Sequence, residues 1–211
     1  MKRRTALVAL LAVNALGACG KRPPRFQPLP PGSVALFLGD SLTAGTGSSA
    51  GEAFPAVVAR QTGWQVINAG VPGDTSAGAR ERLPSLLAEH RPAVVVVTIG
   101  GNDFLRRLPL DETRANIDAM LSAIGAAGAV QVLVAVPQPS LLGAASGSLR
   151  DAPIYEQLAS THRAALLPDA IATVLGDASL KADPIHPNAA GQRRLAERLL
   201  SLLQDTRLLG S

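Results

Sequence analysis

The chain holds a single cysteine, Cys19, among 211 residues, which excludes an internal disulfide. The apolar run at residues 6–16, broken only by Asn14, is too short to span a bilayer well and has the length of the apolar core of an export signal. No phosphate-binding loop of the G-x-x-x-x-G-K-[ST] type occurs, so nothing points to a nucleotide cofactor. His90 and His162 fall at the ends of candidate helices, where a cation favours the dipole. Neither has a His, Cys or carboxylate partner at metal-ligand spacing, so neither a metal nor a cofactor is expected. A true excess of positive charge is also lacking. The formal charge is +4, but Lys2, Arg3 and Arg4 belong to the N-terminal segment, and beyond residue 18 there are 17 basic residues against 16 acidic ones. A nearly neutral body gives no electrostatic reason to expect a nucleic-acid partner. What the chain does have is apolar residues, 47% of the total, and a length that suits one domain with a full core.

The basic start and the apolar run lead into Leu16-Gly17-Ala18-Cys19. This stretch resembles a bacterial lipobox, in which cleavage precedes a cysteine that then carries acyl chains. The resemblance implies a signal peptide over residues 1–18 and an exported lipoprotein held to a membrane through lipidated Cys19 without a spanning helix. Gly20 follows in place of an aspartate, which by the same resemblance implies sorting to the outer membrane, facing the periplasm. Residues 19–33, rich in proline and carrying Lys21, Arg22 and Arg25, read as an extended tether, with the folded domain over 34–211.

Within that domain short apolar runs alternate with longer amphipathic stretches. Residues 34–38, 65–68, 93–99, 130–136 and 165–167 read as strands; four consecutive valines in 93–99 are the pattern of a strand buried on both faces. Residues 52–61, 76–89, 111–126 (with Asp111 as N-cap), 153–163 and 188–204 read as helices. Such alternation predicts an α/β fold, a parallel sheet with helices on both faces.

Ligands of an open parallel sheet sit beyond the carboxyl ends of its strands. The segments there are Gly39-Asp40-Ser41-Leu42, then 68–74 with Gly70 and Gly73, then Gly100-Gly101-Asn102-Asp103, and lastly Asp183-Pro184-Ile185-His186-Pro187-Asn188. One edge of one sheet thus collects a hydroxyl, an imidazole, a carboxylate, an amide and flexible glycines, the parts of an acyl-transfer site. A serine hydroxyl needs an adjacent base, so Ser41 is the candidate nucleophile and His186 the base. Asp183, three residues before His186, can hold the imidazole tautomer. Each residue also has a plainer use. Ser41 could cap a helix, Asn102 could satisfy its own turn, Asp183 could form a turn before Pro184, and His186 could cap the final helix. Asp40 and Asp103 are read as orienting the turns. Gly47-Ser48-Ser49-Ala50-Gly51 matches the G-x-S-x-G nucleophile elbow, but no strand precedes it, so Ser49 is read as a loop residue.

The four blocks, in this order, resemble the GDSL or SGNH hydrolase family, especially its arylesterase, thioesterase I and lysophospholipase branch, from residue 34 to about 203. The resemblance implies a three-layer α/β/α sandwich on a five-stranded, flavodoxin-like parallel sheet. It implies a serine carboxylic ester hydrolase acting on aryl or acyl esters, thioesters or lysophospholipids through an acyl-Ser41 intermediate. By the same resemblance the oxyanion is held by the N–H of Ser41, the N–H of Gly73, with which Gly70 competes, and the side-chain amide of Asn102. Phe104, Leu105, Leu108, Leu141 and Leu142 are candidates to line an acyl or aryl pocket, and the glycine-rich stretch 137–152 is a candidate lid. A deacetylase of exported polysaccharide, or a non-catalytic lipoprotein keeping the fold, are the alternatives.

Overall fold

The computed structural model describes residues 24–138 and 149–210. Cys19, Leu141, Leu142 and most of the candidate lid lie outside them.

Five parallel strands form one sheet: β1 (Val34–Gly39), β2 (Gln65–Gly70), β3 (Val94–Thr98), β4 (Val130–Val134) and β5 (Ala165–Leu167), in the spatial order β2-β1-β3-β4-β5. This is the doubly wound, flavodoxin-like order expected above. The central strands β1 and β3 are buried almost throughout, and their apolar runs have no polar face because helices cover both sides. Each fully buried Leu or Phe, such as Leu36, Phe37 and Leu38, contributes roughly 1.5–3 kcal/mol to folding. The chain winds from β1 outward to β2, then crosses back over β1 to β3. The crevice opened by this reversal lies at the carboxyl ends of β1 and β3.

The helices are α1 (Ser41–Ala44), α2 (Phe54–Thr62), α3 (Ser76–His90), α4 (Gly101–Leu105), α5 (Leu110–Ala126), α6 (Ile154–His162), α7 (Ala170–Gly176) and α8 (Ala189–Asp205). Packing of α3 on α5 and of α5 on α6 makes one outer layer, and α2 and α7 against α8 make the other. The core joins them through contacts such as the edge-on pair Phe37–Phe54, with centroids 5.6 Å apart.

Four local expectations shift. Helix α5 starts at Leu110 with Pro109 as N-cap; Asp111 and Glu112 sit in its first turn, where they still complement the dipole. The helix expected from Glu52 is preceded by a 3-10 turn (Ala50–Glu52) and starts at Phe54, with Pro55 in the first turn, where its missing N–H costs nothing. Strand β4 ends at Val134, paired with the last residue of β5, which frees Val136 for the site. Part of the segment expected to be a tether packs on the domain: Phe26 N donates to Thr206 O at 2.9 Å and Leu29 N to Leu208 O at 2.9 Å, with both side chains against the core.

Candidate active site

Strand β1 ends at Gly39, and the chain turns at once into α1. Asp40 caps this helix: its Oδ1 accepts from Leu42 N at 2.9 Å. The cap is therefore Asp40 and not Ser41, which leaves the Ser41 hydroxyl free and its backbone N–H among the orphan donors of a helix N-terminus. Asp40 is 2% exposed. Burial pushes its pKa up to about 6, against the lowering pull of the Leu42 N–H and of His186.

The turn carrying His186 is tightly closed. Ala182 N donates to His186 O at 2.9 Å, Asn188 N to Leu180 O at 2.9 Å, and Lys181 bridges Pro187. Asp183 Oδ1 accepts from the N–H groups of Ile185 and His186, both at 2.9 Å, and Oδ2 takes His186 Nδ1 at 2.7 Å. Asp183 is thus both turn former and imidazole partner. The His186 ring and the Ile185 N–H hold its carboxyl below the usual range. Capping of α8 falls to Asn188, whose Oδ1 accepts from Ala190 N and Gly191 N, so the histidine ring is free to face α1. Its Nε2 lies 3.0 Å from Ser41 Oγ. With Nδ1 engaged by a carboxylate, Nε2 is the nitrogen available to accept a proton.

Two contacts hold these turns together. Gln192, fully buried on α8, accepts from Phe54 N at 2.9 Å and reaches Leu42 O at 3.5 Å, joining the helix after the histidine to the helix that starts at the serine. Gly47 (φ +93°) passes so close to the histidine turn that a Cβ there would meet Pro187 O and come within 2.9 Å of Ala182 Cβ. The first glycine of the rejected elbow motif is therefore a close-approach residue. Ser49 of that motif is exposed; its Oγ bonds Glu52 at 2.6 Å at the start of the 3-10 turn.

Asn102, on α4, points its amide across the crevice and not at its own turn: Nδ2 donates to Asp74 O at 2.9 Å and faces Asp40 Oδ2 at 3.4 Å. Asp103 braces the neighbouring element, accepting from Ser76 N at 2.9 Å and Ser76 Oγ at 2.5 Å. Gly73 adopts φ +80°, and among the described residues its N–H has no hydrogen-bond partner. The Gly70 N–H is already given to Asn68 Oδ1 at 3.0 Å. Of the two glycines, Gly73 is the one with a donor to spare.

An apolar cleft opens beside Ser41 and Asn102, lined by Leu42, Leu105, Val136, Leu149, Ile171, Leu175 and Ile185. Of the expected pocket residues in the described range, only Leu105 takes part. Phe104 turns inward, 8% exposed, and packs edge-on against Tyr155 at 6.5 Å; Leu108 is exposed and outside this cleft. The walls missed by the sequence reading are Ile171 and Leu175, spaced i, i+4 on α7, together with Val136, just before the candidate lid, and Leu149, within it. Residues 42 and 185 sat unnoticed inside the serine and histidine blocks. His90 and His162 end α3 and α6, and His162 bonds Asp118 at 2.8 Å, away from the cleft.

The model of the GDSL-like Lipase/Acylhydrolase family matches residues 37–194. The chain is 34% identical to esterase TesA of Pseudomonas aeruginosa over 80% of its own length and 87% of that protein. It is 37% identical to thioesterase 1/protease 1/lysophospholipase L1 of Escherichia coli K12 over 80% of its length and 82% of that protein. A crystal structure of TesA superposes with a TM-score of 0.74 at 33% identity, covering 82% of this chain and 99% of the other. With the match spanning all four blocks, the chain belongs to the GDSL-like lipase/acylhydrolase family and is a carboxylic ester hydrolase.

Proposed function

We propose that this hydrolase cleaves acyl esters through an acyl-enzyme on Ser41, with His186 as general base and acid and Asp183 as its partner. The observation that carries the reading is the unbroken relay from Ser41 Oγ to His186 Nε2 (3.0 Å) and from His186 Nδ1 to Asp183 Oδ2 (2.7 Å). In the first half-reaction Ser41 Oγ attacks the ester carbonyl carbon while His186 takes the hydroxyl proton. The carbonyl oxygen becomes an oxyanion, received by the N–H groups of Ser41 and Gly73 and by the Asn102 amide. Collapse expels the alcohol or thiol, protonated by His186. Water, deprotonated by the same imidazole, then attacks the acyl-Ser41 carbonyl carbon and releases the acid. Asp183 stabilises the imidazolium in both halves.

The acyl chain takes the apolar cleft. Among the described residues the large apolar side chains left exposed are Val71, Leu105, Leu108, Leu110 and Ile185, in loops or at helix ends: one after β2, three after β3 and one in the histidine turn. Those surroundings suit an amphiphilic ester, such as the lysophospholipid in the name of the Escherichia coli relative, better than an acetylated polysaccharide. Hydrolysis of p-nitrophenyl acetate, butyrate and palmitate by purified wild type and Ser41→Ala tests the mechanism; equal rates for the two proteins would eliminate the serine pathway. The N-terminal reading, export with lipidation at Cys19 and outer-membrane sorting, stands on the lipobox-like sequence. No helix of the described residues is long and apolar enough to cross a membrane. Labelling by palmitate that persists in Cys19→Ala would reject the anchor.

A further inference from the structure

The loop after β2 holds the Gly73 donor, and α4 holds the Asn102 donor. The ends of the loop are held by Val71 N on Gly39 O and Asp74 N on Val71 O, both at 3.0 Å, and by Arg82 Nε on Asp74 Oδ2 at 2.9 Å, but none of these reaches Gly73 itself. The hold on Gly73 comes from the residue that closes α4. Two successive carbonyls of the loop accept from two side chains four residues apart, which share a helix face: Gly73 O from the Arg106 guanidinium at 2.8 Å, and Asp74 O from Asn102 Nδ2 at 2.9 Å. Arg106 also caps α4, its backbone N–H donating to Asn102 O at 3.0 Å. One residue therefore reaches Gly73 with its side chain and Asn102 with its main chain.

We infer that Arg106 is a positioning residue that holds the Gly73 N–H and the Asn102 amide in register as one oxyanion-binding unit. The inference rests on the oxyanion roles proposed above and extends them to a side chain that touches neither the serine nor the cleft. Its guanidinium is exposed, so it can be removed without opening a cavity in the core. A donor that acts on charge developing only in the transition state affects kcat and kcat/KM equally and leaves KM alone. Loss of a donor outright costs about 10²–10³ in turnover, and a misplacement of about 1 Å costs up to about a hundredfold.

The test compares full-length wild type, Ser41→Ala, Asn102→Ala, Arg106→Ala and Arg106→Lys on p-nitrophenyl butyrate, with melting temperatures and the affinity of a butyl boronic acid, which mimics the tetrahedral intermediate. The expected result for Arg106→Ala is a kcat lowered between about tenfold and about a hundredfold at unchanged KM, with boronate affinity falling in parallel. Arg106→Lys, which keeps one donor within reach of Gly73 O, recovers most of both. A kcat within twofold of wild type for Arg106→Ala, while Ser41→Ala and Asn102→Ala are crippled, overturns the positioning role and leaves the mechanism intact. Equal losses in Arg106→Ala and Arg106→Lys with a lowered melting temperature reduce Arg106 to a structural residue. Full activity in Ser41→Ala removes the mechanism itself.

Discussion

Gln192 is fully buried, and both ends of its amide are committed: Oε1 to Phe54 N at 2.9 Å and Nε2 to Leu42 O at 3.5 Å. Substituting Gln192→Met keeps the length and volume of the side chain but removes both hydrogen bonds. The Phe54 N–H, at the first turn of α2, has no intrahelical acceptor and is left buried and unsatisfied, at a cost of about 1–3 kcal/mol. In a domain of this size that lowers the melting temperature by about 3–10 °C. The second effect is on catalysis. Gln192 ties α8, which follows the histidine turn, to Leu42, the residue after the serine. Without it, the 3.0 Å separation of His186 and Ser41 loses one of its supports, and a shift approaching 1 Å lowers kcat by up to about a hundredfold. Thermal unfolding followed by circular dichroism, with kcat on p-nitrophenyl butyrate below the transition, reads both effects. A variant that melts with the wild type and turns over at the wild-type rate refutes the assignment of Gln192 as the link between the two halves of the site.

Three further outcomes follow from the geometry. Asp40, whose carboxyl rises from 3.8 to about 6 on folding, keeps its proton longer in the folded state, so its contribution to stability falls as pH rises from about 4 to about 6, by about 3 kcal/mol in all. The unfolding free energy of Asp40→Asn, measured by urea titration across that range, should lack this decline, and parallel curves for variant and wild type would show the buried charge to be no burden. Leu105→Ser should raise KM for p-nitrophenyl esters of longer acids far more than for acetate, whereas Leu108→Ser, three residues on and outside the cleft, should leave both unchanged; the reverse pattern would mean that the apolar wall is misassigned. Gly47→Ala places a methyl against Pro187 O from a backbone at φ +93° and should cut kcat by moving the histidine turn, visible as altered chemical shifts of the His186 ring; retention of wild-type kcat would show that the turn can yield.

The parts legible in the sequence are those where one physical cause leaves one local pattern. A strand buried on both faces carries a near-continuous apolar run, so the four valines 94–97 declared the strand expected over 93–99, and with it the edge of the sheet where polar turns gather. The blocks at strand ends follow the same logic, whereas Asn188, read as the first residue of the last helix with His186 as a possible cap, is itself the cap of α8. Where two residues of one block compete for one task, the chain alone cannot separate them. Asp40 and Ser41 are both good caps, and the choice is made by the route of the backbone, which aims the aspartate back at Leu42 N. Gly70 and Gly73 both offer a donor, and the choice falls to the Asn68 side chain, which occupies one of them.

The pocket walls were the least legible for a related reason. Phe104 and Leu105 are neighbours on a five-residue helix too short to show a period, and adjacent residues on any helix point about 100° apart. One is therefore driven into the core against Tyr155 while the other is left beside the serine. A further wall comes from α7, whose sequence AIATVLG is apolar on nearly every side and so carries no amphipathic stripe. Ile171 and Leu175 belong to the buried core and also line the cleft. Catalytic residues are marked by chemistry that few side chains can supply; a specificity wall needs only some apolar residue at a place in space. The cleft wall is accordingly spread over residues of α1, α4 and α7 and the connections beside them, and no single stretch of the chain carries its pattern.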